Sequence, residues 1–317
     1  MSQRTTIEPP NRPLPARLRS ETVGLPLPAG STLRFRPLPD GPFGVEVTGL
    51  VWGRPDPDTV RLLSAALRSR LLLVLRGQTS PSEAQLDEFL RGLGRLVLET
   101  EDGREHYKGH LYKGDGGPAS DLKREMRSYQ HRAEDNSGST YYDPAATGAS
   151  ELVWHNDQSH RPMLKVISVL EALDFEEVTV PTQFRDTYVA AETLPPETRS
   201  ALAARQAVYF DPRLPPPSEL PRACDAMHPV VICHPHTGRR ALYVNDYADR
   251  VAGMDRGESD ELLSRLRLHL DAHAPLYEHQ WRTGDIVMWD NLGVQHRRDP
   301  VPAGQRRRMR QHGGVAE

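Results

Sequence analysis

The chain has 317 residues, enough for one large domain or two small ones. Its 40 basic and 43 acidic residues leave a formal net charge of −3, so no global field draws it onto nucleic acid or an anionic membrane. The longest apolar run, LLLVL at 71–75, is too short to span a bilayer, and the first twenty residues hold no apolar signal core. Cys224 and Cys233 are the only cysteines and form no CxxC, which argues against a disulfide framework or a thiolate zinc site. The expectation is a cytoplasmic protein acting on a small molecule, with self-association left open.

Residues 1–30 are rich in Pro and Arg without periodicity and read as a mobile arm, so the ordered domain is expected over 31–317. GVEVTG (44–49) alternates like a half-buried strand. DPDTVRLLSAALRSR places Val60, Leu63 and Leu67 on one helical face, with Asp58 positioned to cap it. LLLVL follows as a buried strand. The next helix opens on a capping box, Ser80 with Glu83, and has Pro81 in its first turn. From Glu99 to Ser150 periodicity disappears; a loop of that length is disordered or functional, and 99–150 is a candidate lid or insertion.

Beyond it come β-like runs: MLKVISVLEAL, HPVVICH, RRALYV after the turn PHTG, GDIVMWD and RRMRQHG. One further helix presents Leu262, Leu266 and Leu270. Many strands with few helices predict a mainly β protein with flanking helices, a sandwich or jelly roll.

His155 and Asp157 stand two apart in VWHND. On a strand that spacing aims an imidazole and a carboxylate to the same side. Alone, the pair is as well explained by a polar strand end. TGDIVMWDNLGVQHRRDPVPAGQRRRMRQHGG adds His296 after an apolar strand, and Arg307 eleven residues beyond it. Two histidines and one carboxylate form the facial triad of non-haem Fe(II) oxygenases, which leaves coordination positions open. Arg307 supplies a fork for the far carboxylate of a keto-acid co-substrate. Fe(II), Asp157, Arg307 and dianionic 2-oxoglutarate sum to zero charge, as a buried pocket requires.

These segments, from about Phe35 to the end, resemble the TauD/TfdA (taurine dioxygenase-like) family of Fe(II)/2-oxoglutarate-dependent dioxygenases. The resemblance implies a double-stranded β-helix (jelly-roll) core, with His155, Asp157 and His296 as iron ligands and Arg307 as the 2-oxoglutarate partner. It also implies a second 2-oxoglutarate contact from Thr182, although TVP replaces the glycines that usually surround that threonine. The implied reaction is C–H hydroxylation or desaturation using O2, with release of succinate and CO2. Taurine-oxidising members carry a second arginine four residues past the first. Here that position is Gln311, so the expected substrate is not taurine but a larger polar metabolite, such as a specialised-metabolism intermediate. Tyr141 and Tyr142, at the end of the candidate lid, join Gln311 as candidate substrate contacts.

Among the other polar residues, His160 has the wrong parity for the triad, and His228, His234 and His236 read as strand ends and turn. Trp154 and Trp289 are expected to pack around the site, and Arg306, Arg308 and Arg310 to be solvated. The competing readings are a zinc-type hydrolase using the same three ligands and a non-catalytic ligand-binding jelly roll.

Overall fold

The computed structural model describes residues 31–39, 41–52, 56–82, 84–86, 88–90, 93, 140–142, 150–160, 164–175, 180–210, 226–234, 237–303 and 305–312. The expected arm at 1–30 lies outside the described residues, as does all of 99–150 except 140–142 and 150.

Sixteen strands are described, and the largest sheet forms the spine. Its order is β1 (Arg34–Pro37), β2 (Val45–Thr48), β3 (Leu72–Leu75), β14 (Ile286–Asp290), β6 (Ile167–Phe175), β16 (Arg307–His312) and β4 (Thr140–Tyr142). A four-stranded sheet runs β13 (Leu276–His279), β7 (Thr182–Asp186), β15 (Val294–Arg298) and β5 (Leu152–His155). The remainder comprises β8 (Gln206–Tyr209), β9 (Ala226–Pro229) and β12 (Ala248–Val251) in one sheet, and β10 (Val231–Cys233) with β11 (Arg240–Leu242) in another. Described helices are α1 (Pro57–Arg70), α2 (Thr187–Thr193), α3 (Pro196–Leu202) and α4 (Arg256–His273).

The central strand β14 is buried on both faces, and its side chains divide by parity. Val287 and Trp289 meet Leu72, Val74, Leu170, Met309, Phe184, Tyr277 and Val294 in the space between the two largest sheets. Ile286 and Met288 join the core on the other side, with Val60, Leu63 and Leu67 of α1 and with Leu86, Phe89 and Leu90. The sequence expectations for these faces hold, but two caps differ. Asp56, not Asp58, caps α1, accepting from Thr59 N at 2.9 Å and Thr59 Oγ1 at 2.6 Å, because Pro57 occupies the first helical position. At the following helical segment the reciprocal pair is Ser82 with Gln85, while the Ser80 hydroxyl bonds Glu171 instead.

Along the β6–β16 ladder the register shifts by one: Arg308 faces Asp174, but Met309 faces Ala172. Arg307, Met309 and Gln311 thereby look inward. Arg308 is exposed, as expected for the other parity. Arg310 departs from that expectation. It is buried, donates from Nε to Glu171 at 2.7 Å and from a second nitrogen to Pro81 O, because Ser80 and Pro81 lie against that face of the sheet.

Asp186 ends β7 and caps α2, accepting from Tyr188 N at 2.8 Å and Val189 N at 3.3 Å. Its Oδ2 is buried without a hydrogen-bond partner among the described residues, with an Arg239 nitrogen 3.8 Å away. Burial, aided by Asp290 and opposed by Arg239 and the two capping amides, pushes its carboxyl up to about 6. The folded state then binds more protons than the unfolded one between about pH 4 and 6, so stability falls as pH rises through that window. Asp186→Asn keeps the capping oxygen and removes the charge. It is expected to match the native protein near pH 4 and to exceed it by on the order of 2–3 kcal/mol above pH 7, measured by urea unfolding across pH.

Candidate active site

His155 ends β5 and lies directly opposite His296 on β15, and the two rings stand 4.1 Å apart. The Nδ1 of His155 is 2.7 Å from Val153 O, a contact that favours its protonation and leaves Nε2 with the lone pair. Asp157 does not continue the strand, so the parity expected from the sequence is not what orients it. It opens a turn over 157–160, in which Gln158 adopts φ +58°. The turn is held by Asn291. This buried amide accepts from Asp157 N at 2.9 Å and donates to Asp157 O at 3.0 Å and Lys165 O at 2.8 Å, much as a neighbouring strand would. Asn156 extends the network to Asn291 O, Val294 O and Asn245.

The result is a buried cluster in which ligand-type atoms of His155, Asp157 and His296 all lie within 4.8 Å of one another. Asp157 Oδ1 is 3.8 Å from His155 Nε2 and 3.7 Å from His296 Nε2. Those separations are too long for hydrogen bonds, yet they are within the reach of two metal–ligand bonds of about 2.1 Å each. Burial, with His155 beside it, drives His296 down to about 3, so its imidazole is neutral, and its Nδ1 has no hydrogen-bond partner among the described residues. Burial by itself would raise Asp157, but Lys165, His296, His155 and the Ser168 hydroxyl hold it well below the usual carboxylate range. Two imidazole nitrogens and a carboxylate oxygen converging at metal-ligand spacing are the donors a divalent cation takes, so the three residues fit one.

Arg307 is buried on β16, and among the described residues it meets no carboxylate. One terminal nitrogen donates to Thr182 Oγ1 at 3.2 Å, and Trp281 Nε1 donates to the same oxygen at 2.8 Å. With both acceptor sites of that hydroxyl used, its own proton is available to an incoming acceptor. Burial, and then Arg298, lowers the guanidinium to about 9, so it remains charged at neutral pH and awaits an anion.

Gln311 also faces inward, but its amide nitrogen donates to Asp157 Oδ2 at 2.6 Å. Tyr141 and Tyr142 lie on β4, opposite Arg310 and Met309. Trp289 packs 4.7 Å from the His296 ring as expected. Trp154 instead lies beneath the guanidinium groups of Arg185 and Arg297. His160 is buried in the 157–160 turn, outside the triad. His228 lies within β9, ringed by Tyr209 and Tyr243, and His234 follows β10; His236 is outside the described residues. Sequence reasoning missed Asn291, Lys165, Ser168 and Tyr247, whose ring lies 5.5 Å from His155. The polar pair Asp290–Asn291 closing an apolar strand was a signal for the first; Lys165 and Ser168 are hidden in an apolar run.

The model of the "Taurine catabolism dioxygenase TauD, TfdA family" matches residues 34–312. The chain belongs to this family. It is 30% identical over 306 residues to pentalenolactone F synthase of Streptomyces arenae, covering 88% of this chain and 94% of that protein. To the (S)-phenoxypropionate/alpha-ketoglutarate-dioxygenase of Delftia acidovorans it is 28% identical over 284 residues, covering 85% and 90%. The fold matches the crystal structure of AAD-2 in complex with Mn(II) and N-oxalylglycine with a TM-score of 0.67 at 21% identity, covering 90% and 98%. The protein is therefore an alpha-ketoglutarate-dependent dioxygenase with the jelly-roll core of the TauD/TfdA family, which uses Fe(II), 2-oxoglutarate and O2. No helix among the described residues is long and apolar enough to cross a membrane.

Asn291→Ala strips partners from the backbone of Asp157 and Lys165. Each buried group left unpaired is expected to cost about 1–3 kcal/mol in urea unfolding.

Proposed function

We propose that His155, Asp157 and His296 hold the Fe(II), and that Arg307 with the Thr182 hydroxyl binds the far carboxylate of 2-oxoglutarate. The observation that carries this reading is the buried Arg307 guanidinium, which meets no acid among the described residues, on the strand that also reaches Asp157. Arg307 and Gln311 are four residues apart, about 13 Å along β16, which leaves room for a short dicarboxylate between the metal ligands and the guanidinium. When bound, iron with 2-oxoglutarate and O2 supplies the oxidising chemistry, releasing succinate and CO2. The chain's own work is to present neutral imidazoles, hold one carboxylate, anchor the co-substrate and keep the surroundings dry.

The substrate is a small polar metabolite oxidised at an unactivated C–H bond, by hydroxylation or desaturation. The 30% identity to pentalenolactone F synthase supports a place in specialised metabolism. Lys165, buried against Asp157, brings a further positive charge to the site. Including it leaves iron, Asp157, Arg307, Lys165 and 2-oxoglutarate at +1, and a substrate with one negative charge closes the balance. The carboxylates named for the phenoxypropionate and 2,4-dichlorophenoxyacetate relatives support this refinement. Gln311 is engaged with Asp157, which favours Tyr247 as the nearer substrate contact.

Anaerobic addition of Fe(II) and 2-oxoglutarate should give a visible charge-transfer band that Asp157→Ala abolishes; a normal band in that variant would sink the ligand assignment. Arg307→Ala should raise the apparent KM for 2-oxoglutarate several hundredfold, corresponding to about 3–5 kcal/mol for a buried charge partner. Arg308→Ala, on the exposed face, should leave it unchanged. Succinate release measured across monocarboxylates, neutral analogues and taurine tests the substrate, with stimulation expected from a carboxylate and not from taurine.

A further inference from the structure

The two oxygens of Asp157 have different surroundings. Oδ1 faces Nε2 of His155 at 3.8 Å and of His296 at 3.7 Å. Oδ2 accepts from Ser168 Oγ at 2.5 Å, Gln311 Nε2 at 2.6 Å and Lys165 Nζ at 3.3 Å. A carboxylate oxygen offers about two lone-pair sites, so three donors leave Oδ2 nothing for a metal ion. A cation drawn to Oδ2 would also stand against the Lys165 ammonium, in surroundings where like charges are poorly screened. Both barriers act on one oxygen only.

We propose that Lys165, Ser168 and Gln311 are positioning residues that restrict Asp157 to a single-oxygen metal ligand; this rests on the metal assignment made above. All three come from or beside the seven-stranded sheet. Ser168 lies on β6, Lys165 just before it, and Gln311 on β16 opposite Leu170 of β6. The two histidines come from the four-stranded sheet. The carboxylate is thus gripped from one sheet and offered to the other. A carboxylate free to turn would bring its second oxygen to the ion and occupy a coordination position that a chelating co-substrate needs. Gln311 stands where the sequence suggested a substrate contact, and the donors on Asp157 give it a different task.

Gln311 is only half-buried and Ser168→Ala removes a single hydroxyl, so Gln311→Leu and Ser168→Ala should both fold; their melting curves establish that. Two probes of the metal-free protein are read for each variant: Mn(II) affinity from the electron paramagnetic resonance signal of the free ion, and the visible absorption of Co(II). Gln311→Leu and Ser168→Ala are each expected to weaken Mn(II) binding about 10–100-fold, the usual effect of removing an outer hydrogen bond to a ligand. The Co(II) bands should lose intensity in the double variant Ser168→Ala/Gln311→Leu, its folding checked by the same melting curve, because Lys165 alone then remains on Oδ2 and the lone pair set free can raise the coordination number. A purely structural role would move the melting temperature and leave the Co(II) spectrum alone. Native Co(II) bands in the double variant Ser168→Ala/Gln311→Leu, or Mn(II) affinity within twofold of native in both single variants, would overturn the proposal. His155→Ala is read in parallel: native Mn(II) affinity in that variant would instead remove the metal assignment on which the proposal stands.

Discussion

A carboxylate cannot be carried into the space between two apolar sheets unless its charge is answered, and Asp157 is answered on every side. Lys165, Ser168 and Gln311 meet one oxygen, two imidazoles flank the other, and the Asn291 amide holds the backbone on both sides. Desolvation would otherwise protonate it and remove its capacity to bind a cation. The rest of the architecture follows from that demand. The larger sheet must bring a lysine, a serine and a glutamine to one point. The smaller must place two histidines in direct cross-strand register, and the turn between β14 and β15 must lie close enough for an asparagine to replace a missing strand.

Much of this was legible in the residues, for reasons that can be named. Val60, Leu63 and Leu67 repeat at the helical period, and Ile286 to Trp289 form an apolar run too short for anything but a buried strand, so α1 and β14 could be read directly. The triad was legible because His155, Asp157, His296 and Arg307 belong to a pattern with few alternative explanations. Strand parity alone does not account for how the pair is aimed. Strand parity would aim both side chains alike, but β5 stops at His155 and a turn secured by Asn291 delivers Asp157.

Other features lay beyond reach because they depend on pairing between distant segments. Lys165 in MLKVISVL reads as a polar interruption of a strand, and only the folded chain shows that its ammonium ends 3.3 Å from a buried acid, Asp157. Strands β7, β8, β12 and β13 left no clear periodicity; each is four or five residues long and takes its conformation from neighbours. Arg310 looked solvated because nothing local announced that Ser80 and Pro81 would lie against it.

The single-residue register shift on β6 settles which side chain meets Arg307. Arg307 faces Phe175, whose ring lies 5.6 Å from the guanidinium, and Asp174 turns outward to Arg306 at 3.7 Å. In an unbroken ladder the residue opposite Arg307 would be Asp174. An internal acid there would satisfy the guanidinium permanently. One extra residue, Leu173, replaces a charge with a phenyl ring and so keeps the cation's demand open for a molecule that arrives from outside. A miscount of one residue between two strands thus decides whether Arg307 meets an acid or a ring.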